Sequence, residues 1–343
     1  MLLAIRKELL MRKQELHNTT VETIYFGGGT PSILTPSEIQ SLIDEVYRHY
    51  QVVTTPEITL EANPDDLSQS AIKALSSTSI NRLSIGIQSF FDKDLKLMNR
   101  AHNANEARTS LEGALKYFDN ISVDLIYGIQ EQTDAQWHQN LEITTAYNIP
   151  HISSYTLTVE PKTAMSTFIK KGVMPDVDDD QAQRQFLILV DYLNAKDFVH
   201  YEISNFGKTG FFSQNNSAYW QGKSYLGIGP SAHSFNGKQR LWNVSNNSQY
   251  IKSLQNDIQP ATVEHLSTKD QYNEYVMTGL RTIWGVSLDE LNARFGERFV
   301  TYFKQMVSKY LEDALVYEDN QIYRTSKRGK FLADGIAAEL FMI

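Results

Sequence analysis

The 343-residue sequence contains no cysteine. Such a chain forms no disulfide and offers no thiolate to a metal ion or cluster. We therefore expect no metal ligands in it, and a cytoplasmic location. Basic residues are in the minority, with 32 Lys and Arg against 40 Asp and Glu and a formal net charge of −8. Nucleic acids and anionic membranes select for basic surfaces, so we expect no nucleic acid as a partner.

Long apolar runs are also missing. No stretch approaches the ~18 consecutive apolar residues of a membrane helix, so we expect no integral membrane segment. The N-terminus lacks the small-residue cleavage site of a signal peptide. Hydrophobic residues nevertheless make up 41% of the chain and charged residues 21%, which is an ordinary globular composition.

Strand-like and helix-like segments alternate over the first 199 residues. Helical patterns at 37–50 and 104–118 lie between β-type runs spaced about 30 residues apart, which is typical of βαβ units with a parallel sheet. Five such units favour a partial barrel over an open sheet, and we predict an α/β partial barrel over residues 1–199. The five runs are TIYF (23–26), ITLEA (58–62), RLSIGIQ (82–88), ISVDLIY (121–127) and ISSYTLTV (152–159).

The pattern changes after residue 199. Residues 200–260 are rich in Gly, Ser, Asn and aromatic residues, which predicts irregular strands and loops packed on the barrel. Residues 261–343 read as three helices, a hairpin and a last helix, which predicts a winged-helix-like domain. That segment holds 10 Lys and Arg against 12 Asp and Glu, so it lacks the basic surface that DNA binding requires.

Glycines, carboxylates and amides stand at four successive strand ends. GGGTP (27–31) follows the first run, Glu61 closes the second, Gln88 closes the third, and Asp124 lies in the fourth. Ligands of parallel α/β folds bind at these ends. Bare backbone, carboxylates and an amide suit a nucleoside that bears an amino acid. Each residue taken alone also has a structural alternative to ligand binding, which is a turn, a helix cap or an internal ion pair.

Taken together, these segments resemble the radical S-adenosylmethionine (SAM) enzymes of the oxygen-independent coproporphyrinogen III oxidase family. Three later segments resemble the haem-chaperone branch of that family, HemW, and the resemblance spans essentially the whole chain. It implies a partial (β/α)6 barrel with SAM across the strand ends. The segments are GGGTPS (27–32), EANP (61–64), SIGIQSF (84–90), NR (99–100) and DLIYG (124–128), then YEISNF (201–206), NSAYW (216–220) and GIGPSAHSF (227–235).

The resemblance also implies roles for single residues and a cofactor. Gly28, Gly29 and Thr30 are expected to contact the methionine amino group, and Glu61 to hold ribose or other polar atoms of SAM. Gln88, Arg100 and Asp124 are expected to complete the pocket. The family's radical chemistry uses a [4Fe–4S] cluster on three cysteines of a CxxxCxxC loop after the first strand.

This strand and this loop have no counterpart in the sequence. We expect them to precede residue 1 in a longer protein, with natural loss of the cluster as the alternative. In either case we expect no catalytic residue here and no radical chemistry from this chain alone.

A second departure concerns haem. The HemW branch has a His in a HisAsnxxTyrTrp motif, and Asn215 occupies that position here, ahead of Tyr219 and Trp220. Asn is a poor replacement for imidazole on iron. His233 is the candidate substitute, and a purely structural His is the alternative.

Three functions remain open from the sequence. The first is a HemW-like chaperone of haem or porphyrin, whose partners are haem-accepting proteins. In this form it would be inactive as a radical enzyme. The second is a genuine coproporphyrinogen III oxidase. The third is a cluster-free binding scaffold without enzymatic activity. The NSAYW segment (216–220) favours the first.

Overall fold

The computed structural model describes residues 1–16 and 19–343. The chain divides into two compact units. We name residues 24–40 and 57–213 the sheet unit, and residues 1–23, 41–56 and 214–343 the terminal unit. Among the described residues, no helix is both long enough and apolar enough to cross a membrane.

The described residues form strands and helices with the following bounds. The strands are β1 Val21–Phe26, β2 Val52–Ala62, β3 Arg82–Gln88, β4 Ile121–Tyr127, β5 His151–Thr156, β6 Val199–Glu202, β7 Asn205–Gly207, β8 His233–Phe235, β9 Gln239–Asn243, β10 Ala261–His265, β11 Val286–Ser287, β12 Val316–Asp319 and β13 Ile322–Thr325. The helices are α1 Leu2–Met11, α2 Pro36–His49, α3 Gln69–Leu75, α4 Asp92–Leu97, α5 Ala104–Ala114, α6 Asp134–Ala146, α7 Ala164–Lys170, α8 Asp179–Asn194, α9 Gln214–Trp220, α10 Asn247–Gln255, α11 Thr268–Leu280, α12 Leu288–Phe295, α13 Glu297–Glu312, α14 Lys327–Phe331 and α15 Ala333–Glu339.

A seven-stranded sheet of order β1-β2-β3-β4-β5-β7-β6 organises the sheet unit. Strands β2 to β5 pair in parallel, and β6 and β7 close the far edge as an antiparallel pair. Every residue of β3 is buried, as expected for a parallel sheet covered on both faces. All five predicted strands are confirmed. The fifth is shorter than predicted, since β5 ends at Thr156, and the sheet contains two further strands, β6 and β7.

Local capping explains where the helices of the sheet unit begin. Asn103 and Glu106 form a reciprocal capping box at the start of α5, and Thr133 and Gln136 do the same at α6. Each box satisfies two backbone N–H groups that the first turn would otherwise leave unpaired. The helices therefore start at fixed points of the chain.

The terminal unit contains two small sheets. The first has the order β10-β9-β8, and the second has the order β11-β13-β12. The predicted series of three helices, hairpin and last helix is present from α11 onward, with two additions: β11 pairs with β13, and the last helix is divided into α14 and α15. The winged-helix assignment and the division at residues 199 and 260 stay predictions.

Candidate functional site

The glycine run after β1 provides open backbone. Gly28 and Gly29 have φ angles of +75° and +69°, a region that disfavours any side chain. A Cβ built on either residue meets nothing within 4 Å, so the space around these two peptides is free for a ligand. Gly27 differs, because its Cβ would lie 2.6 Å from the Tyr25 ring and 2.9 Å from Glu61 Oε1. Gly27 therefore serves packing, while Gly28 and Gly29 form the open surface.

Glu61 joins the glycine run to β2. Tyr25 Oη donates to Glu61 Oε1 at 2.7 Å, and the Gly28 N–H donates to Glu61 Oε2 at 3.2 Å. Burial and the Glu61 carboxylate both raise the pKa of Tyr25 above its ordinary value, so the phenol remains a donor. Each carboxylate oxygen has lone pairs left for another donor. The carboxylate is thus oriented beside the open backbone and can still accept from a ligand.

Asp124 lies on β4, and a serine of the neighbouring strand donates to its carboxylate. Ser84 Oγ donates to Asp124 Oδ1 at 3.1 Å, and Ser122 Oγ lies 3.4 Å from the same oxygen. Burial raises the pKa of Asp124 to about 6, with a smaller upward contribution from Glu61 and an opposing one from the Ser84 hydrogen bond. The β2–β3 register places Glu61 beside Ser84, so both carboxylates belong to one face of the sheet.

Gln88 and Arg100 flank this face. Gln88 is buried with φ of 66° at an irregularity of the β3–β4 pairing, and a Cβ on Gly86 would lie 2.9 Å from Gln88 Nε2. Burial holds the pKa of Arg100 below its ordinary value, against the opposing effects of the Asp124 and Asp65 carboxylates. Arg100 is therefore electrostatically coupled to Asp124. Thr30 precedes a short 3₁₀ helix, Pro31–Ile33.

A buried polar chain continues from Asp124 into the sheet unit. Ser122 Oγ lies 2.8 Å from His151 Nδ1, and His151 Nε2 lies 2.8 Å from Tyr201 Oη. Arg82, which can only donate, approaches Nδ1 at 3.4 Å, so we assign Nδ1 as acceptor and the proton to Nε2. Burial and the Arg82 charge lower the pKa of His151 well below its ordinary value. His151 is therefore a neutral link.

Sequence reasoning missed Tyr25, Ser84 and Ser122 as members of this site. Ser84 and Gln88 lie an even number of residues apart on β3, and Ser122 and Asp124 do so on β4. Because side chains of a strand alternate between faces, a period-two reading outward from Gln88 and Asp124 identifies both serines. Tyr25 carries no such signal, since it lies between Ile24 and Phe26 in the run that precedes the glycines.

The haem candidates lie in the terminal unit and separate into two places. Asn215, Tyr219 and Trp220 are on α9, where Asn215 Oδ1 accepts from Thr23 Oγ1 at 3.0 Å. Tyr219 stacks on Tyr225 at 4.6 Å, and the Arg281 guanidinium lies 4.9 Å from the Trp220 ring. His233 begins β8, where its exposed ring stacks on Trp242 at 6.2 Å.

Two family profiles match the chain. The profile of the radical SAM superfamily matches residues 5–143, and the HemN C-terminal domain profile matches residues 266–332. The chain is 31% identical over 336 residues to "Heme chaperone HemW" of Bacillus subtilis, an alignment that covers 97% of this chain and 89% of the relative. The Lactococcus lactis protein of the same name is 30% identical over 340 residues, with 96% and 89% covered.

The chain belongs to the HemW/HemN-like radical SAM family. The coproporphyrinogen III oxidase HemN structure from Escherichia coli, described as a radical SAM enzyme, aligns with a TM-score of 0.84 over 99% of this chain and 82% of that one, at 21% identity. This likeness shows the fold: an α/β partial-barrel sheet with an additional C-terminal region.

Radical SAM proteins normally bind SAM and a [4Fe–4S] cluster. The residues of this HemW/HemN-like chain suit SAM and do not suit the cluster. The open peptides of Gly28 and Gly29 and the carboxylates of Glu61 and Asp124 suit a cationic amino acid joined to a nucleoside. The cluster does not fit, because the sequence has no cysteine. Within residues 1–16 and 19–343, no group of three or more His, Asp or Glu could hold a metal ion.

Proposed function

We propose that this protein is a HemW-like haem-handling protein that binds SAM at the strand ends of its sheet unit without cleaving it. The observation that carries the proposal is the Tyr25–Glu61–Gly28 cradle in a chain that has no cysteine. In the family, the cluster supplies the electron that converts SAM into a 5′-deoxyadenosyl radical. No residue of this chain is assigned a part in that step.

The proposed contacts follow the charges of the site. The ligand's amino group lies against Gly28, Gly29 and Thr30, and its ribose hydroxyls donate to Glu61. Asp124 and Glu61 together attract the positive charges of the ammonium and sulfonium groups. Gln88 and Arg100 close the remaining sides of the pocket. Support comes from the contacts already described, which orient both carboxylates before any ligand arrives.

The haem part of the proposal comes from the relatives. Two proteins at 30–31% identity over nearly the whole chain carry the name heme chaperone. We therefore propose that this chain also binds haem or a porphyrin and passes it to acceptor proteins.

Calorimetry with SAM and with S-adenosylhomocysteine tests the nucleoside site. Wild type is expected to bind both compounds, and Glu61→Gln is expected to weaken SAM binding about 10- to 100-fold, since a charge-assisted hydrogen bond contributes about 1.5–3 kcal/mol. Glu160→Gln is the matched control, because Glu160 is an exposed loop residue of the same unit. Absence of binding to wild type, or equal affinity of the Glu61→Gln variant, contradicts the proposal.

Anaerobic incubation with iron and sulfide tests the missing chemistry. The chain is expected to gain no cluster absorption at about 400 nm and, with dithionite and SAM, to yield no 5′-deoxyadenosine. Formation of 5′-deoxyadenosine by this chain alone would overturn that part of the proposal.

A further inference from the structure

A cleft in the terminal unit carries an inference about where haem binds. The cleft has a volume of about 630 Å³, within the roughly 300–1,000 Å³ typical of small-molecule sites. Its floor runs across three strands, because Thr262 of β10 pairs with Trp242 of β9 and Trp242 pairs with His233 of β8. Helix α10 contributes Gln249 and Ser253, one turn apart, to the wall.

The lining has one metal-binding side chain and no charge. Serine, threonine, asparagine, glutamine and small apolar residues surround His233 and Trp242. The His233 ring is exposed, and no described residue forms a hydrogen bond with either of its nitrogens. A bare cation needs several protein ligands, which this lining does not supply. Iron in a porphyrin already has four ring nitrogens and needs only an axial imidazole.

A second observation points to a ligand in the same cleft. The side-chain nitrogen of Gln259, which lines the cleft, is buried and has no hydrogen-bond partner among the described residues. A buried donor without a partner costs about 1–3 kcal/mol, and an acceptor group of a ligand would remove that cost. The carboxylates of a porphyrin are such acceptors. Trp242, Val244 and Pro260 offer apolar surface for its ring.

We propose that this cleft binds an iron porphyrin through His233 as the axial ligand, with Gln259 as a donor to a carboxylate of the macrocycle. The proposal rests on the proposed haem handling and gives it a location. It favours His233 over the α9 candidates, since Asn215 Oδ1 already accepts from Thr23 and the Trp220 ring already has a cationic neighbour in Arg281.

Haem titration of the full chain, followed by absorption and resonance Raman spectra, tests the site. Wild type is expected to show a histidine-ligated spectrum. His233→Ala is expected to lose that spectrum and to bind haem at least about tenfold more weakly, and added imidazole is expected to restore the spectrum. His265→Ala is the matched control, because His265 is exposed on the same sheet. Gln259→Leu is expected to weaken haem binding without changing the ligand type.

The outcomes separate this proposal from the proposed function. If wild type binds haem and His233→Ala has the same spectrum and affinity, the cleft is wrong while haem handling stands. If wild type binds no haem, the cleft assignment and the proposed haem handling are both wrong. The proposed SAM site is then still tested by calorimetry. Circular dichroism checks that each variant is folded. If His265→Ala loses the spectrum as His233→Ala does, binding is by surface histidines and the assignment fails.

Discussion

Replacement of Glu8 by Ala is expected to destabilise the terminal unit severely. Glu8 is fully buried on α1 and forms an ion pair with the equally buried Arg12 at 3.0 Å. Its carboxylate also accepts from the Gly229 N–H at 2.9 Å, Asn243 Nδ2 at 2.7 Å and Tyr250 Oη at 2.5 Å. Three segments distant in sequence therefore depend on this one side chain.

The size of the effect follows from what the truncation leaves behind. Removing one partner of a buried ion pair costs about 3–5 kcal/mol, because the other charge stays buried. Three further donors lose their acceptor, at about 1–3 kcal/mol each if none finds water. Arg12 keeps its bonds to Glu15, and water can enter the space left by the carboxylate, so the full sum is not reached. We expect a loss of about 4 kcal/mol in the free energy of unfolding.

Urea unfolding followed by tryptophan fluorescence measures this loss. Trp220, Trp242 and Trp284 belong to the terminal unit, so the signal reports mainly on that unit. Glu15→Ala is the control, since Glu15 pairs with the same arginine and is partly exposed. Glu8→Leu combined with Arg12→Met is expected to cost less than Glu8→Ala, because no charge remains buried. A loss below about 1 kcal/mol for Glu8→Ala, or a larger loss for the double variant, refutes the reasoning.

Three further predictions concern the sheet unit. SAM binding is expected to weaken as the pH falls through about 6, because protonation of Asp124 removes the charge that attracts the cation. Calorimetry should show this pH dependence of the affinity in wild type and not in Asp124→Asn. Gly28→Ala is expected to lower the free energy of unfolding, measured with urea, by about 1–2 kcal/mol because Gly28 has a positive φ. Gly335→Ala within α15 is expected to raise it by about 0.5–1 kcal/mol, and equal effects of the two substitutions contradict the reasoning. His151 is expected to remain neutral with its proton on Nε2 between about pH 5 and 8 in ¹⁵N NMR spectra, and an ordinary titration near pH 6.5 contradicts the assignment.

The strands could be predicted from the sequence because each is a short apolar run ended by glycine or polar residues. The sequence also predicted Glu61 and Asp124 toward the carboxyl ends of parallel strands, which lie at one edge of a sheet. That the two carboxylates share a face follows only from the strand register. The starts of the helices depend on local capping. The helical pattern at 37–50 predicts Ser37 as the cap of α2, yet Thr35 Oγ1 accepts from the Glu38 N–H, and the helix begins at Pro36. Thr35 stands three residues before Glu38 and directly before Pro36, which is the capping-box pattern, and the Thr35 N–H donates to Glu38 Oε2 at 2.8 Å.

The partners of the site residues could not be predicted, because they depend on the register between strands. Ser84 reaches Asp124 only because β3 and β4 pair Ser84 with Ser122, two residues before Asp124. A shift of one residue would turn Ser84 to the opposite face. The Glu8 contacts were equally hidden, since they join residues more than 200 positions apart. Sequence patterns predict which residues share a helix or strand, whereas the packing of the folded chain determines which helices and strands are in contact.

The way the site is held in place separates ligand binding from cluster chemistry. Tyr25 and the Gly28 peptide fix Glu61, while Ser84 donates to Asp124, and all of these groups belong to this chain. Preorganised groups bind a ligand without first spending free energy on ordering themselves. The orientation of both carboxylates therefore requires no iron–sulfur cluster. We therefore expect the proposed nucleoside site to persist in a chain that has no cysteine, so that SAM binding and radical chemistry can be measured separately.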